Sequence, residues 1–197
     1  MSIAILLLAG GASSRMGSRD KLMEDVGGIP LIRQRAMTCI ASSADQVRAV
    51  LPPDKPLRAE ALEGLDIDIV YNEGAALGLS HSLRSGLVGI ATEAVLIVLA
   101  DLPDITTADL DKVIKAAKAH PLATILRGAD GNGKAGHPVL IRKALFEDLK
   151  QLEGDTGAQP VLRQHKSDTV LVPIGTAALR DLDTPEDWKT WRAEQKT

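Results

Sequence analysis

The sequence predicts an α/β protein: a three-layer α/β/α sandwich around a mainly parallel central sheet. Three observations lead there. Short apolar runs alternate with helical patterns through about Ile114, the order that builds a parallel sheet with helices on both faces. Two of those runs, Ile3 to Leu8 and Ala94 to Ala100, are almost unbroken in apolar residues, as strands buried on both faces are. Polar or glycine-rich segments follow the strands directly, and in such sheets ligands gather beyond the carboxyl ends of the strands. The 197 residues carry no repeat, low-complexity tract or linker, so one domain over 1–197 is expected.

Taken in order, Ile3 to Leu8 is the first strand, opening into Ala9, Gly10 and Gly11. Pro30 to Ala41 reads as a helix with proline at its start and Leu31, Ile32, Met37 and Ile40 on one face. Gln46 to Leu51 is a strand closed by Pro52-Pro53, Leu57 to Leu62 a short helix, and Ile67 to Tyr71 a third strand. A loop from Asn72 through Gly78 starts a helix near Ser80. Ala94 to Ala100 is a central strand ending at Asp101-Leu-Pro103-Asp104. Thr107 is placed to cap a helix running to about Ala119. Leu122 to Leu126 is the next strand, Asp130-Gly131 and Asn132-Gly133 mark a tight turn, and His137 to Ile141 resumes as a strand. Arg142 to Leu152 reads as a helix, Gly154 to Ala158 as a polar loop, Gln159 to Gln164 as a helix and Thr169 to Pro173 as a late strand. Thr184 caps a final helix, with Pro185 in first position and Asp187 as the capping-box acid.

Composition narrows the function. Apolar residues make up 45% and charged residues 25% of the chain, the balance of an ordinary globule. A net charge of −3 and only four aromatic residues (two Trp, one Tyr, one Phe) argue against a nucleic-acid surface. The N-terminal apolar run is too short to span a bilayer and lacks the basic flank of a signal peptide. A single cysteine, Cys39, excludes an internal disulfide and suits a reducing cytoplasm.

The chemistry gathers in a few places. Gly10, Gly11 and Gly17 can expose backbone N–H groups to an anion, and Arg15, Arg19 and Lys21 add positive charge. This is neither a Walker A loop, since Gly17 is followed by Ser18, Arg19 and Asp20 before Lys21, nor a G-x-G-x-x-G fingerprint. A nucleoside triphosphate is the simplest guest. The helix start near Gly78 and Ser80 offers a second set of N–H groups suited to phosphate or a base edge. Asp101 ends a buried strand where packing gives no reason for a carboxylate, and Mg²⁺ is commonly held by one or two carboxylates plus substrate phosphates. Asp183 is a second ligand candidate, with Asp181 as its rival. The four scattered histidines and lone cysteine form no zinc pattern, His137 in a Gly-His-Pro loop is placed for a substrate contact, and the absence of G-x-S-x-G disfavours a covalent hydrolase.

Leu8-Ala-Gly-Gly-Ala-Ser-Ser-Arg-Met-Gly17 with Lys21 closely resembles the signature loop of the MobA-like nucleotidyltransferases, and Ala100-Asp101-Leu-Pro103 resembles their metal site. Gly78 to Leu83, Gly136-His137-Pro138, Gly154 to Ala158 and Asp181 to Asp187 look like the molybdenum cofactor cytidylyltransferase branch. The first loop departs from that branch: Gly10 stands where it usually has alanine, as in guanylyltransferases. The resemblance implies a Rossmann-like nucleotidyltransferase fold and Mg²⁺-dependent transfer of CMP from CTP to molybdopterin, with release of pyrophosphate. It further implies that Arg15 and Lys21 hold the triphosphate and that Asp101 and Asp183 hold the metal. Leu8, Ala9, Gly10, Gly11, Asn72, Gly78, Ser80 and Ser82 would grip the nucleotide, while His137 and Asp155 would face the pterin. Transfer from GTP, transfer to a sugar phosphate, and a non-enzymatic nucleotide-binding accessory role are the alternatives. A transient contact with a molybdoenzyme or its chaperone is the expected partnership, and neither nucleic acid nor membrane is.

Overall fold

The computed structural model describes residues 1–195. Its core is a seven-stranded sheet formed by β1 (Ile3–Leu8), β4 (Gln46–Leu51), β5 (Asp68–Tyr71), β6 (Ala94–Leu99), β7 (Ile125–Ala129), β8 (Ala135–Arg142) and β9 (Thr169–Pro173), in the spatial order β5-β4-β1-β6-β8-β7-β9. A separate two-stranded ribbon joins β2 (Asp25–Val26) to β3 (Ile29–Pro30). β1 lies parallel to β4 on one side and to β6 on the other, so the loops that leave β1 and β6 start as neighbours. β8 is the strand that runs against the rest, antiparallel to both β6 and β7.

All six residues of β1 are buried, and alternate side chains serve different layers. Ile3, Ile5 and Leu7 pack with residues of α1 (Leu31–Ile40), α4 (Thr107–Ala119) and α7 (Pro185–Glu194). Ala4, Leu6 and Leu8 face α3 (Leu79–Leu87), α5 (Phe146–Lys150) and α6 (Gln159–Gln164). The remaining helix, α2 (Pro56–Glu60), is a single turn between β4 and β5. The expected three layers are present.

Several boundaries move. The cap of α4 is Thr106, not Thr107: its hydroxyl accepts from Asp109 N–H, and the Asp109 carboxylate accepts in turn from the Thr106 backbone N–H. The capping box fixes the start one residue earlier than the hydrophobic pattern suggests. The strand expected at Leu122 to Leu126 begins at Ile125, because Leu122 is fully outside, 93% exposed. The strand expected to end at Ile141 continues to Arg142 and pairs with Ala94, so the helix expected over Arg142 to Leu152 is only Phe146–Lys150. The short helix expected at Leu57 to Leu62 is Pro56–Glu60. The Asp130 to Gly133 segment forms the tight turn between β7 and β8, with Gly133 N–H donating to the Asp130 carbonyl. Among the described residues no helix is long and apolar enough to cross a membrane.

Candidate active site

Sheet pairing carries the site residues together. Ala9 N–H donates to the Val50 carbonyl and Ala100 N–H to the Leu8 carbonyl, so the ladder on both sides of β1 extends one step into the loops. Across that end lies the segment before α7, tied down where Leu182 N–H donates to the Asp101 carbonyl at 3.2 Å. Thr184 caps α7 through its hydroxyl, and the Asp187 carboxylate accepts from the N–H groups of both Asp183 and Thr184. A local capping device therefore sets the position of Asp183.

Lys21 is the centre. Its Nζ lies 2.6 Å from Asp101 Oδ2 and 2.6 Å from Asp183 Oδ1. Arg15 closes on the other Asp183 oxygen from a largely exposed position. Burial alone would lower the Lys21 pKa; Asp101 and then Asp183 outweigh it, and the pKa is raised. Asp181 is half-buried and lies in the field of Asp183 and Asp101, so burial first and those charges second raise its carboxyl pKa. Asp183, not Asp181, is the carboxylate in contact with Lys21 and Arg15.

Asp101 Oδ1 is buried and has no hydrogen-bond partner. An orphaned carboxylate oxygen beside a second carboxylate is a donor set that suits a hard divalent cation. Among the described residues no three His, Cys, Asp or Glu side chains are grouped to hold a metal. Asp101 and Asp183 could therefore hold one only with help from substrate oxygens and water, the habit of Mg²⁺.

The other expected residues fall into two groups. Leu8 and Ala9 are buried, so only their backbone is available, while Gly10 and Gly11 reach the surface of the same loop. Asn72, 1% exposed, is engaged from within: its Nδ2 donates to Ser82 Oγ at 2.9 Å, and its Oδ1 accepts from Gly74 N–H and Ser85 Oγ and lies 2.6 Å from His81 Nδ1. Gly78 has φ 102°, and a Cβ there would meet the Gly154 carbonyl oxygen at 2.6 Å. Ser80 is fully buried and donates toward the Glu153 and Gly157 carbonyls. Asp155 accepts from Leu79 N–H at 3.0 Å, closing the first turn of α3. The segment 72–82 and the loop 153–157 thus form one interlocked wall. His137 lies at the start of β8 with Nδ1 buried and unpartnered. Burial and then the charge of Arg127 push its pKa down to about 4, despite opposing pulls from a hydrogen bond to the Ile97 backbone and from Asp101.

Two buried arginines were not anticipated. Arg35 of α1 donates to the Leu102 and Ile105 carbonyls and holds the loop after Asp101. Arg58 of α2 holds the Gly10 loop. Neither lies in a motif, and a guanidinium that binds backbone carbonyls of another segment leaves no signature in the sequence.

The model of the MobA-like NTP transferase domain matches residues 5–170. The chain belongs to that family. Among curated members, a protein of Natronomonas pharaonis named a probable molybdenum cofactor guanylyltransferase is 31% identical over 118 residues, covering 60% of this chain and 58% of that protein. One of the same name from Rhodopirellula baltica is 25% identical over 194 residues, covering 92% and 88%. Among solved structures, the Mycobacterium sp. strain JC1 homologue of Mycobacterium tuberculosis rv0371c matches with TM-score 0.85 and 27% identity, over 98% of this chain and 96% of that one. Rv0371c itself, solved in complex with manganese, matches with TM-score 0.75 and 21% identity over 96% and 97%. This MobA-like protein is a nucleotidyltransferase by family, with a mainly parallel sheet like those of its structural neighbours.

Proposed function

We propose that the protein transfers CMP from CTP to the terminal phosphate of molybdopterin. A pterin phosphate oxygen forms a bond to the α-phosphorus, the bond from that phosphorus to the bridging oxygen breaks, and pyrophosphate leaves. The observation that carries this reading is the ammonium of Lys21 set between Asp101 and Asp183 at the mouth of a glycine loop. Such transfer asks for alignment and charge stabilisation more than for covalent chemistry. Lys21 and Arg15 are the cations for the triphosphate, and Asp101 and Asp183 the ligands for Mg²⁺. When bound, the metal would neutralise charge on the phosphate oxygens. The backbone of Leu8, Ala9, Gly10 and Gly11 would line the nucleotide. The wall built from Asn72, Gly78, Ser80 and Ser82 would stand opposite, and His137 and Asp155 would lie toward the pterin.

The names of the curated relatives support the acceptor and also favour a second reading, transfer of GMP from GTP. For CTP stands the closeness of the two loops: a Cβ on Gly10 would lie 2.8 Å from Ser82 Oγ, so the second wall sits directly against the first loop. A cytoplasmic location suits the buried free thiol of Cys39, whose pKa burial pushes up to about 12. A molybdoenzyme or its chaperone would then receive the product. The test is pyrophosphate release from CTP, GTP or UTP, with and without molybdopterin and Mg²⁺. Release with CTP only when all components are present is expected. Nucleotide binding without release under any acceptor would instead indicate an accessory protein.

A further inference from the structure

The structure assigns to Arg58 the positioning of the nucleotide loop: from beneath, it turns the carbonyls of Ala9 and Gly11 inward and so aims the N–H groups of Gly10 and Ala12 at the nucleotide. The assignment rests on the nucleotide-binding reading above and names a residue outside every motif that led to it.

Arg58 is 0% exposed although it belongs to a one-turn helix at the rim of the fold. Its guanidinium makes five hydrogen bonds. Nη1 donates to the Ala9 carbonyl, and Nη2 to the Gly11 carbonyl at 2.8 Å and to Ser13 Oγ at 3.4 Å. Nη2 and Nε also grip Asp20 Oδ1 and Oδ2, at 2.9 and 2.8 Å. A planar trans peptide points its N–H opposite to its carbonyl. With the carbonyls of Ala9 and Gly11 held on the buried guanidinium, the N–H groups of Gly10 and Ala12 face away from it. Among the described residues, the N–H groups of Gly10, Gly11, Ala12, Ser13 and Ser14 donate to no protein acceptor. A carbonyl turned outward there would repel phosphate and remove a donor at the same time.

The same guanidinium reaches Lys21. Ser13 Oγ, within reach of Arg58, accepts from Lys21 N–H at 3.2 Å and donates to Asp20 Oδ1 at 3.2 Å. Ser13 is also the one described non-glycine residue with positive φ, 57°. Burial raises the Asp20 pKa, but the hydrogen bonds and charge of Arg58 prevail and leave it lowered. Asp20 therefore stays ionised and neutralises the guanidinium, so Arg58 acts on the nucleotide through loop geometry rather than through its own charge. Lysine cannot replace it, since an ammonium lacks the planar fork that serves two carbonyls and a carboxylate together.

The experiment measures equilibrium binding of CTP and GTP, and KM and kcat for pyrophosphate release, in wild type, Arg58→Lys and Asp20→Asn, with thermal unfolding as the fold control. In a folded variant the dissociation constant and KM should rise by about tenfold or more, as expected from misdirecting one or two donors. A change in melting temperature alone, with unchanged dissociation constant, would overturn the assignment. If Arg58→Lys does not fold, Asp20→Asn decides by the same criterion. The binding arm needs no turnover: if wild type binds nucleotide yet releases no pyrophosphate, the proposed reaction fails while the role of Arg58 is still decided.

Discussion

The loop after β1 and the loop after β5 leave the same end of the sheet, both rich in glycine and small polar residues, and they are built on opposite plans. The first keeps its donors turned out, because its carbonyls are drawn under by Arg58. The second turns its polar groups in: Asn72 serves Ser82, Ser85 and Gly74, and Gly78 and Ser80 lock against the 153–157 loop. Similar compositions thus leave backbone donors free in one place and build a buttress in the other. The difference lies in where the balancing partners come from. A side chain from beneath frees the backbone of the first loop, whereas side chains within the second consume its own polar groups.

The sharpest break of this contrast is at the reactive end. Asp101→Ala should lower kcat by about a hundredfold or more, the scale of losing one charge-stabilising group, while nucleotide binding by the first loop survives. Full turnover in that variant would remove the metal role. Next comes Gly78→Ala, where a Cβ would strike the Gly154 backbone and φ 102° is strained for alanine. It should cost about 3 kcal/mol in chemical denaturation, from strain and overpacking together. Weakened nucleotide binding at unchanged stability would make the second loop a receptor after all.

Acid sharpens the comparison from a third side. The His137 pKa is down to about 4 in the folded protein against about 6.5 when unfolded, so the unfolded chain takes up the proton first. Its contribution is fully present above about pH 6.5 and is lost as pH falls toward 4, by roughly 2–3 kcal/mol. Urea titrations at pH 7 and pH 4.5 should show a smaller pH effect in His137→Gln than in wild type. The smallest effect tests where the two loops touch. Gly10→Ala pushes on Ser82 Oγ and should narrow the floor, raising the ratio of kcat/KM for CTP over GTP several-fold, about 1 kcal/mol. A wild-type preference for GTP would reassign the base and leave the sheet and Lys21 unchanged.

The fold was legible because β1 and β6 are buried on both faces and announce themselves as apolar runs. Lys21, Asp101 and Asp183 were legible as candidates because charged groups beside strand ends and helix caps lack a packing reason. The interior of the wall was less so: Asn72 and Ser80 read as ligands for a nucleotide, and only the fold reveals that Asn72 binds Gly74, Ser82 and Ser85 of its own segment while Ser80 binds the 153–157 loop. Arg58 was invisible for a physical reason. In a one-turn helix the hydrophobic pattern would bury Leu57, yet Leu57 is 58% exposed and Arg58 is buried. Helical periodicity cannot anticipate a guanidinium recruited by carbonyls about 47 residues away in sequence.

The pairing of Lys21 with both Asp101 and Asp183 also orders events in time. The ammonium and its second carboxylate are separated by 162 positions, and β1 itself needs β6, about 90 residues later, to complete its neighbours. Closing loops of that length favours slow assembly. A chain emerging from the ribosome would therefore carry its glycine loop early but complete its charge centre only once the segment before α7 is out. Until then the Lys21–Asp101–Asp183 cluster is incomplete, and under the proposed reaction a half-made polypeptide would lack the charges that the transfer needs.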